Sequence, residues 1–513
     1  MTRFNMKLFP AILLKTRIHS PFRRLKVTTL IAALLFASGC NLQDQPIPIL
    51  NSPAINQTVA SINEVSPGQT NCPGPVVETE WPGPVIETDW PMFGRNPQRD
   101  KESPLDFANS NFKLLWTFKP SDHTFNYREG TNLWSESAIA INRKNRLEIV
   151  IGSYNRKVYG INGLTGELIW SFTTGDEVIA TPVADKENTI IVSSDRKLYK
   201  LSANGDRQWA QQLQEWSHTS QPMTASSPAL FSLENYGVLY AGGYYLNDTA
   251  FFGRRQEGWA CLRSAETNKE IWSQFLRKSH VYGPAAGLVA GKEVLFYSTS
   301  DGLVCALNAK NGELIWKFTA DQQIRSTPTF TYRKISQEAK DSVPVVLVSS
   351  RWGILWALDA NSGESVWSYR AGHMCDSSPA IATLGSGKKI VIFGSYDRCL
   401  HGIYLDSGKR AWKFETKGII LSSPAVANVN GHKAVFFSSM DNHLYSIEAA
   451  TGKILWSYKT GPLPWPFFKR GDAVFSSPVI CRNADTTDKE ERTILIFPAH
   501  DGTIYAFTPA ASI

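Results

Sequence analysis

The chain has 513 residues, 42% of them hydrophobic and 19% charged, enough to bury a large core. Its net charge of +7 sits at the amino end, because seven of the 53 Lys and Arg and none of the 46 Asp and Glu fall in the first 39 residues. The balanced remainder lacks the basic face that phosphate binding requires, which excludes nucleic acid as an expected partner.

In chain order, basic Arg3 to Lys26 is followed by an apolar run from Val27 to Ala37 and the junction Ala37-Ser38-Gly39-Cys40. This is the pattern of a lipoprotein signal peptide over residues 1–39, too short for a spanning helix, with Cys40 expected as the lipidated first residue. An uncleaved anchor helix is the alternative, since Ala37 stands where such junctions most often carry leucine. Asn41 lacks the aspartate that favours inner-membrane retention, so the expected location is the cell envelope, periplasm-facing, at the outer membrane. Residues 40–88 are polar and contain proline, and they end in a duplication, Pro73 to Trp81 and Pro82 to Trp90. That composition predicts an extended tether.

From residue 89 to 513 a repeat takes over. Trp116, Trp170, Trp209, Trp272, Trp316, Trp367, Trp412 and Trp456 recur at about 49 residues, a propeller-blade period. Four residues before the last seven stand Gly166, Gly205, Asn268, Gly312, Gly363, Gly408 and Gly452, residue types that tolerate the positive φ of a tight hairpin. Alternating strands such as Lys157 to Ile161 and Leu303 to Leu307 precede these turns. Small residues and proline open most blades, as in Thr181-Pro182, Ser227-Pro228, Ser378-Pro379 and Ser477-Pro478. Together these predict an all-β, eight-bladed β-propeller of four-stranded blades. Its last blade lacks a tryptophan strand, which Lys113 to Phe118 can supply, closing the ring by pairing the N- and C-terminal strands and leaving no edge open. A seven-bladed ring with one degenerate repeat is the alternative.

The segment Ala306-Leu-Asn-Ala-Lys-Asn-Gly312-Glu-Leu-Ile-Trp316 resembles the pyrroloquinoline-quinone (PQQ)-type propeller repeat. The opening phrase Asp89-Trp-Pro-Met-Phe-Gly-Arg-Asn-Pro97 and the size resemble the BamB-like outer-membrane assembly lipoproteins. The likeness runs from about residue 89 to 508 and is specific for fold more than activity.

The loops opposite the Thr-Gly turns carry the chemistry. Candidate binding residues there are Trp134, Glu136, Trp216, His218, His280, Tyr282, Arg325, His373, Asp376, Trp465 and Phe467. Asp195, Asp301, Asp397 and Asp441 fall at hairpin tips on the same face and read as turn residues, not metal ligands. An insert in the third blade, with Phe251, Phe252, Arg254 and Arg255, has the composition of an interface anchor or a flap. Of the cysteines beyond Cys40, Cys261 and Cys305 read as buried small residues, and no pair has C-x-x-C spacing.

No nucleophile motif or phosphate loop appears. The expectation is therefore a monomeric, non-catalytic, lipid-anchored scaffold that binds envelope proteins, needs no cofactor and holds no metal. The resemblance implies that scaffold role. The alternatives are a periplasmic PQQ-dependent dehydrogenase using calcium, and a propeller that senses a small ligand.

Overall fold

The alternating segments become antiparallel hairpins in the computed structural model. It describes residues 89–510 except 90, 97, 121–133, 144–145, 213–223, 234–236, 249–254, 278, 321, 336–341, 462–475, 484–492 and 500–501. Every regular element among the described residues is a strand, and no helix among them is long and apolar enough to cross a membrane. The signal, Cys40 and nearly all of the tether lie outside the described residues.

The strands form separate sheets. Seven blades are each made from one continuous stretch: 139–173, 183–212, 224–277, 281–319, 329–370, 380–415 and 425–459. The remaining sheet joins both ends of the chain, with Phe112–Phe118 antiparallel to Ile504–Pro509. Two parts of the expected architecture are corrected. The ring is not eight equivalent four-stranded blades: seven are continuous, the other sheet is composite, and two sheets have five strands. One gains Glu102–Phe107, parallel to Ala425–Val429, and the third blade divides its inner strand. Nor are the edges closed. Among the described residues neighbouring sheets are joined by the isolated bridge Ser137 to Ser477 and share no ladder, because radially splayed sheets cannot share one.

Two layers of contact hold the sheets around a centre. At the outer layer, each of the recurring tryptophans except Trp456 lies under the turn of the next sheet. An added Cβ on Gly166 would fall 2.7 Å from the Trp116 ring, and one on Gly363 would fall 2.6 Å from that of Trp316. The indole N–H usually donates to a backbone carbonyl there: Trp116 to Gly163 at 2.9 Å, Trp272 to Ala309 at 2.9 Å, Trp316 to Ala360 at 2.7 Å, Trp367 to Leu405 and Trp412 to Ala449 at 2.8 Å. Trp209 makes the same bond to Glu266 at 3.3 Å. Trp170 departs from the pattern, donating to the Glu148 carboxylate at 2.9 Å. Trp456 packs on Phe507 and Phe112, at 5.0 and 5.3 Å between ring centres, since the composite sheet has no turn to receive it. A buried tryptophan removes roughly 200 Å² from water, worth about 5 kcal/mol before entropy.

At the inner layer the small opening residues bond from sheet to sheet. Thr181 N–H donates to Ser227 Oγ, Thr327 N–H to Ser378 Oγ, Ser378 N–H to Ser423 Oγ, Ser423 N–H to Ser477 Oγ and Ser477 N–H to the Glu136 carbonyl, all at 2.8–3.0 Å.

Residues 89–107 form a strap across the face that carries the strand-one to strand-two turns. Asn142 Nδ2 donates to Asp89 at 2.7 Å, Ala184 N–H to the Pro91 carbonyl at 3.0 Å, Phe330 N–H to that of Gln98, Ile381 N–H to that of Asp100, and Val426 N–H to that of Lys101, these three at 2.9 Å. The strap thus touches blade after blade.

Candidate functional site

At the strap's centre Arg99 and Lys101 are 0% and 1% exposed. Arg99 donates to the carbonyls of Phe93, Pro284 (2.9 Å) and Ser227 (2.8 Å). Lys101 donates to those of Arg99 (3.1 Å) and Pro379 (2.8 Å). Burial lowers the Lys101 amine from 10.5 to about 7 and the Arg99 guanidinium from 12.5 to about 9. Arg99 thus stays charged at neutral pH, while Lys101 is close to the midpoint of its protonation.

Above them the blade openings decide what enters the channel. Positions equivalent to Ser226, Ser326, Ser377, Ser422 and Ser476 hold a hydroxyl that bonds back to a backbone carbonyl, as Ser226 Oγ does to Gly283 at 2.7 Å. Glu136 and Tyr282 replace that serine in the first and fourth blades, and their longer side chains must reach inward. Glu136 accepts a hydrogen bond from Ser227 Oγ, two blades away. Its side chain is half-buried. Burial raises its carboxyl, opposed by Ser227, Arg99 and Lys101.

Tyr282 is pushed up to about 12, first by burial, and its electrostatic neighbours are Arg325, Glu136, Asp376 and Arg351. Burial, then Arg325, lowers His280 to about 4, so its imidazole is neutral at neutral pH. Arg351 Nε lies 3.4 Å from Asp376 Oδ1, and Tyr396 O–H donates to Asp376 Oδ2 at 3.0 Å. The exposed His373 ring stacks on Tyr396 with centres 6.1 Å apart. Arg325 is half-buried and makes no hydrogen bond or ion pair among the described residues. The hydroxyl of the fully buried Tyr297, in the electrostatic surroundings of Arg99, has no partner among them either.

The structure thus brings Glu136, His280, Tyr282, Arg325 and Asp376 into one neighbourhood, with His373 at its edge. Trp134 is elsewhere: 3% exposed, it packs on Tyr159 at 6.0 Å inside the first blade. Trp216, His218, Trp465, Phe467, Phe251, Phe252 and Arg254 lie outside the described residues. Arg255 opens a strand, Arg255–Ser264. The hairpin-tip acids close turns: Asp195 accepts from Lys197 N–H at 3.1 Å, Asp397 from Cys399 N–H at 3.0 Å, and Asp441 from His443 N–H at 3.1 Å.

Sequence reasoning missed Arg99, Lys101, Arg351 and Trp352. The first two sit in a polar stretch without periodicity. Arg351 and Trp352 had a signal, because Trp352, 66% exposed, stands where sister hairpins carry Asp195, Asp301, Asp397 and Asp441.

Residues 113–246, 257–418 and 353–509 match the family described as "Outer membrane protein assembly factor BamB". A protein of that description from Shewanella oneidensis is 26% identical over 183 residues, 35% of this chain and 42% of that protein, so the chain spans less than half the length of this relative. Among solved structures, a quinohemoprotein alcohol dehydrogenase from Comamonas testosteroni aligns at TM-score 0.60 and 15% identity, covering 84% of this chain and 82% of its own. A europium-containing methanol dehydrogenase aligns at TM-score 0.59 and 12% identity, covering 83% and 98%. At such identities the likeness is one of fold. It corrects the expectation of a non-catalytic, cofactor-free chain, because the same fold over most of its length is that of dehydrogenases.

Proposed function

The chain belongs to the outer membrane protein assembly factor BamB family, and from that premise we propose an envelope propeller whose channel binds a small organic polyanion, the chemical class of PQQ. The observation that carries this reading is Arg325, a half-buried guanidinium without a hydrogen-bond or ion-pair partner among the described residues, in the electrostatic surroundings of Tyr282 and His280. An unpaired cation in a desolvated site gains most from an anionic ligand.

The donor set fits the carboxylates of such a quinone and does not fit its calcium partner. Among the described residues no group of three or more His, Cys, Asp and Glu could hold a metal ion. When bound, the quinone would supply a two-electron acceptor. The chain's part would be to hold the anion through Arg325 and Tyr282. Glu136, its carboxyl raised by burial, would take or release a proton inside the channel. The residues 1–39 and Cys40 support secretion and lipid anchoring, at the outer membrane in this reading.

The test is titration of the chain from residue 41 with PQQ, with and without Ca²⁺, followed by tryptophan quenching. Saturable, calcium-independent quenching that Arg325→Gln weakens at least tenfold is expected. A flat titration, or equal affinity in the variant, removes the reading.

Family membership favours a second reading, in which the same loops hold envelope proteins. Phe251, Phe252, Arg254 and Arg255 would anchor the partner, and Phe251→Ala with Phe252→Ala would reduce co-purification. Unchanged recovery of partners would exclude the insert.

A further inference from the structure

The hairpin tips opposite the Thr-Gly turns follow one pattern. Asp195 and Asp441 each accept a hydrogen bond from the tyrosine four residues on, Tyr199 and Tyr445, the latter at 2.8 Å. The fifth blade breaks this pattern at both places, with Trp352 and Trp356. The Trp356 indole N–H is buried and has no hydrogen-bond partner among the described residues. Trp352 is 66% exposed, more than any other large apolar side chain among them. Trp352 thus gives up the bond that its sister acids make and packs little in return, which marks a ring held for something outside the chain.

Planar polar groups adjoin this tip. It lies against the segment that carries His373, because an added Cβ on Gly353 would stand 2.4 Å from the His373 carbonyl oxygen. That segment runs on to Asp376, which faces Arg351, the residue before Trp352, and accepts from Tyr396 of the sixth-blade tip. Tyr396 N–H in turn donates to the Met374 carbonyl at 2.8 Å, so both tips and residues 373–376 form one surface. Arg351 and Asp376 keep 21% and 17% of their side chains exposed there. These adjacent, opposite charges select the class of ligand. An anion would meet Asp376, a cation would meet Arg351, and an apolar group would take water from both. A hydroxyl both donates and accepts, so a neutral polyol serves carboxylate and guanidinium together, and a sugar ring adds an apolar C–H face for the indole.

We propose that the tips of the fifth and sixth blades form a binding site for a neutral saccharide, its ring laid on Trp352 and its hydroxyls held by Asp376 and Arg351. The site shares Asp376 with the Arg325 neighbourhood, but its affinity for sugar does not rest on the polyanion reading. A β-linked glucose chain, with its ring hydroxyls equatorial, presents a broad C–H face and is the matching probe.

The experiment is titration of the chain from residue 41, which retains every described strand, with cellotetraose, followed by saturation-transfer NMR. Wild type should bind saturably. Trp352→Ala should weaken binding at least tenfold while melting as wild type does, and Trp352→Phe should recover part of that loss. Asp376→Asn should weaken it at least threefold. Phe275→Ala, which removes a ring 40% exposed on the outer strand Glu270–Arg277, should bind as wild type does. No saturable wild-type binding, wild-type affinity in Trp352→Ala or Asp376→Asn, or equal loss in Phe275→Ala overturns the proposal. Binding of the neutral peptide Ala-Phe-Ala without binding of cellotetraose also overturns it, assigning the exposed indole to a polypeptide.

Discussion

Gly363→Ala separates two costs that the fold imposes on one atom. Gly363 has φ of +77° and its added methyl would stand 2.6 Å from Trp316 Cε3, closer than real carbons approach. Left-handed backbone costs an L-residue roughly 1–2 kcal/mol, and forcing a methyl into a packed ring costs about 1–3 kcal/mol more. The Trp316 ring cannot move aside freely, because it is 7% exposed and its N–H is tied to the Ala360 carbonyl at 2.7 Å. Gly387 provides the control, with φ of +76° and nothing within 4 Å of an added methyl. Equilibrium urea unfolding should show Gly363→Ala losing about 1–3 kcal/mol more than Gly387→Ala. Adding Trp316→Ala to Gly363→Ala should cost less than the sum of the single losses, because removing the ring removes the clash. Equal losses at the two glycines, or strict additivity in the double variant, would refute the idea that the tryptophan docks on the turn.

Three further outcomes follow from buried groups. Glu148→Ala removes the carboxylate that holds Arg143 at 3.3 Å, Arg146 at 3.1 Å and the Trp170 indole, so it should cost about 3–5 kcal/mol in the same assay, with Glu148→Gln costing less. Lys101 has a folded pKa lowered by burial from 10.5 to about 7; between those values the unfolded chain binds the extra proton, so stability should rise with pH, and Lys101→Met should flatten that slope across unfolding midpoints at pH 7 to 10. The five described cysteines are buried, with Cys305 pushed up to about 12 by burial; iodoacetamide at pH 7.5 should modify none of them before unfolding, and rapid native labelling of Cys305 would contradict the burial.

How much of this was legible in the sequence depended on repetition. A turn glycine and a docking tryptophan recur in blade after blade, and each must meet the same local geometry, so their spacing carries the fold. Free sheet edges and the fifth strand Glu102–Phe107 were not legible, because they arise from contacts between distant segments such as Glu102 with Val426. The candidate site follows the opposite logic. Glu136 and Tyr282 were visible because they interrupt a pattern of small residues, Arg325 as a charged residue in a loop of the same face, and Trp352 carried an equal signal as an interruption of the hairpin-tip acids. Arg99 and Lys101 interrupt nothing. Their burial at 0% and 1% comes from a strap that is polar because it must satisfy the carbonyls at the inner ends of many blades, including those of Ser227, Pro284 and Pro379. In a propeller the repeat builds the walls, while the residues that give the channel its charge come from the positions where the repeat fails and from the one segment that does not repeat.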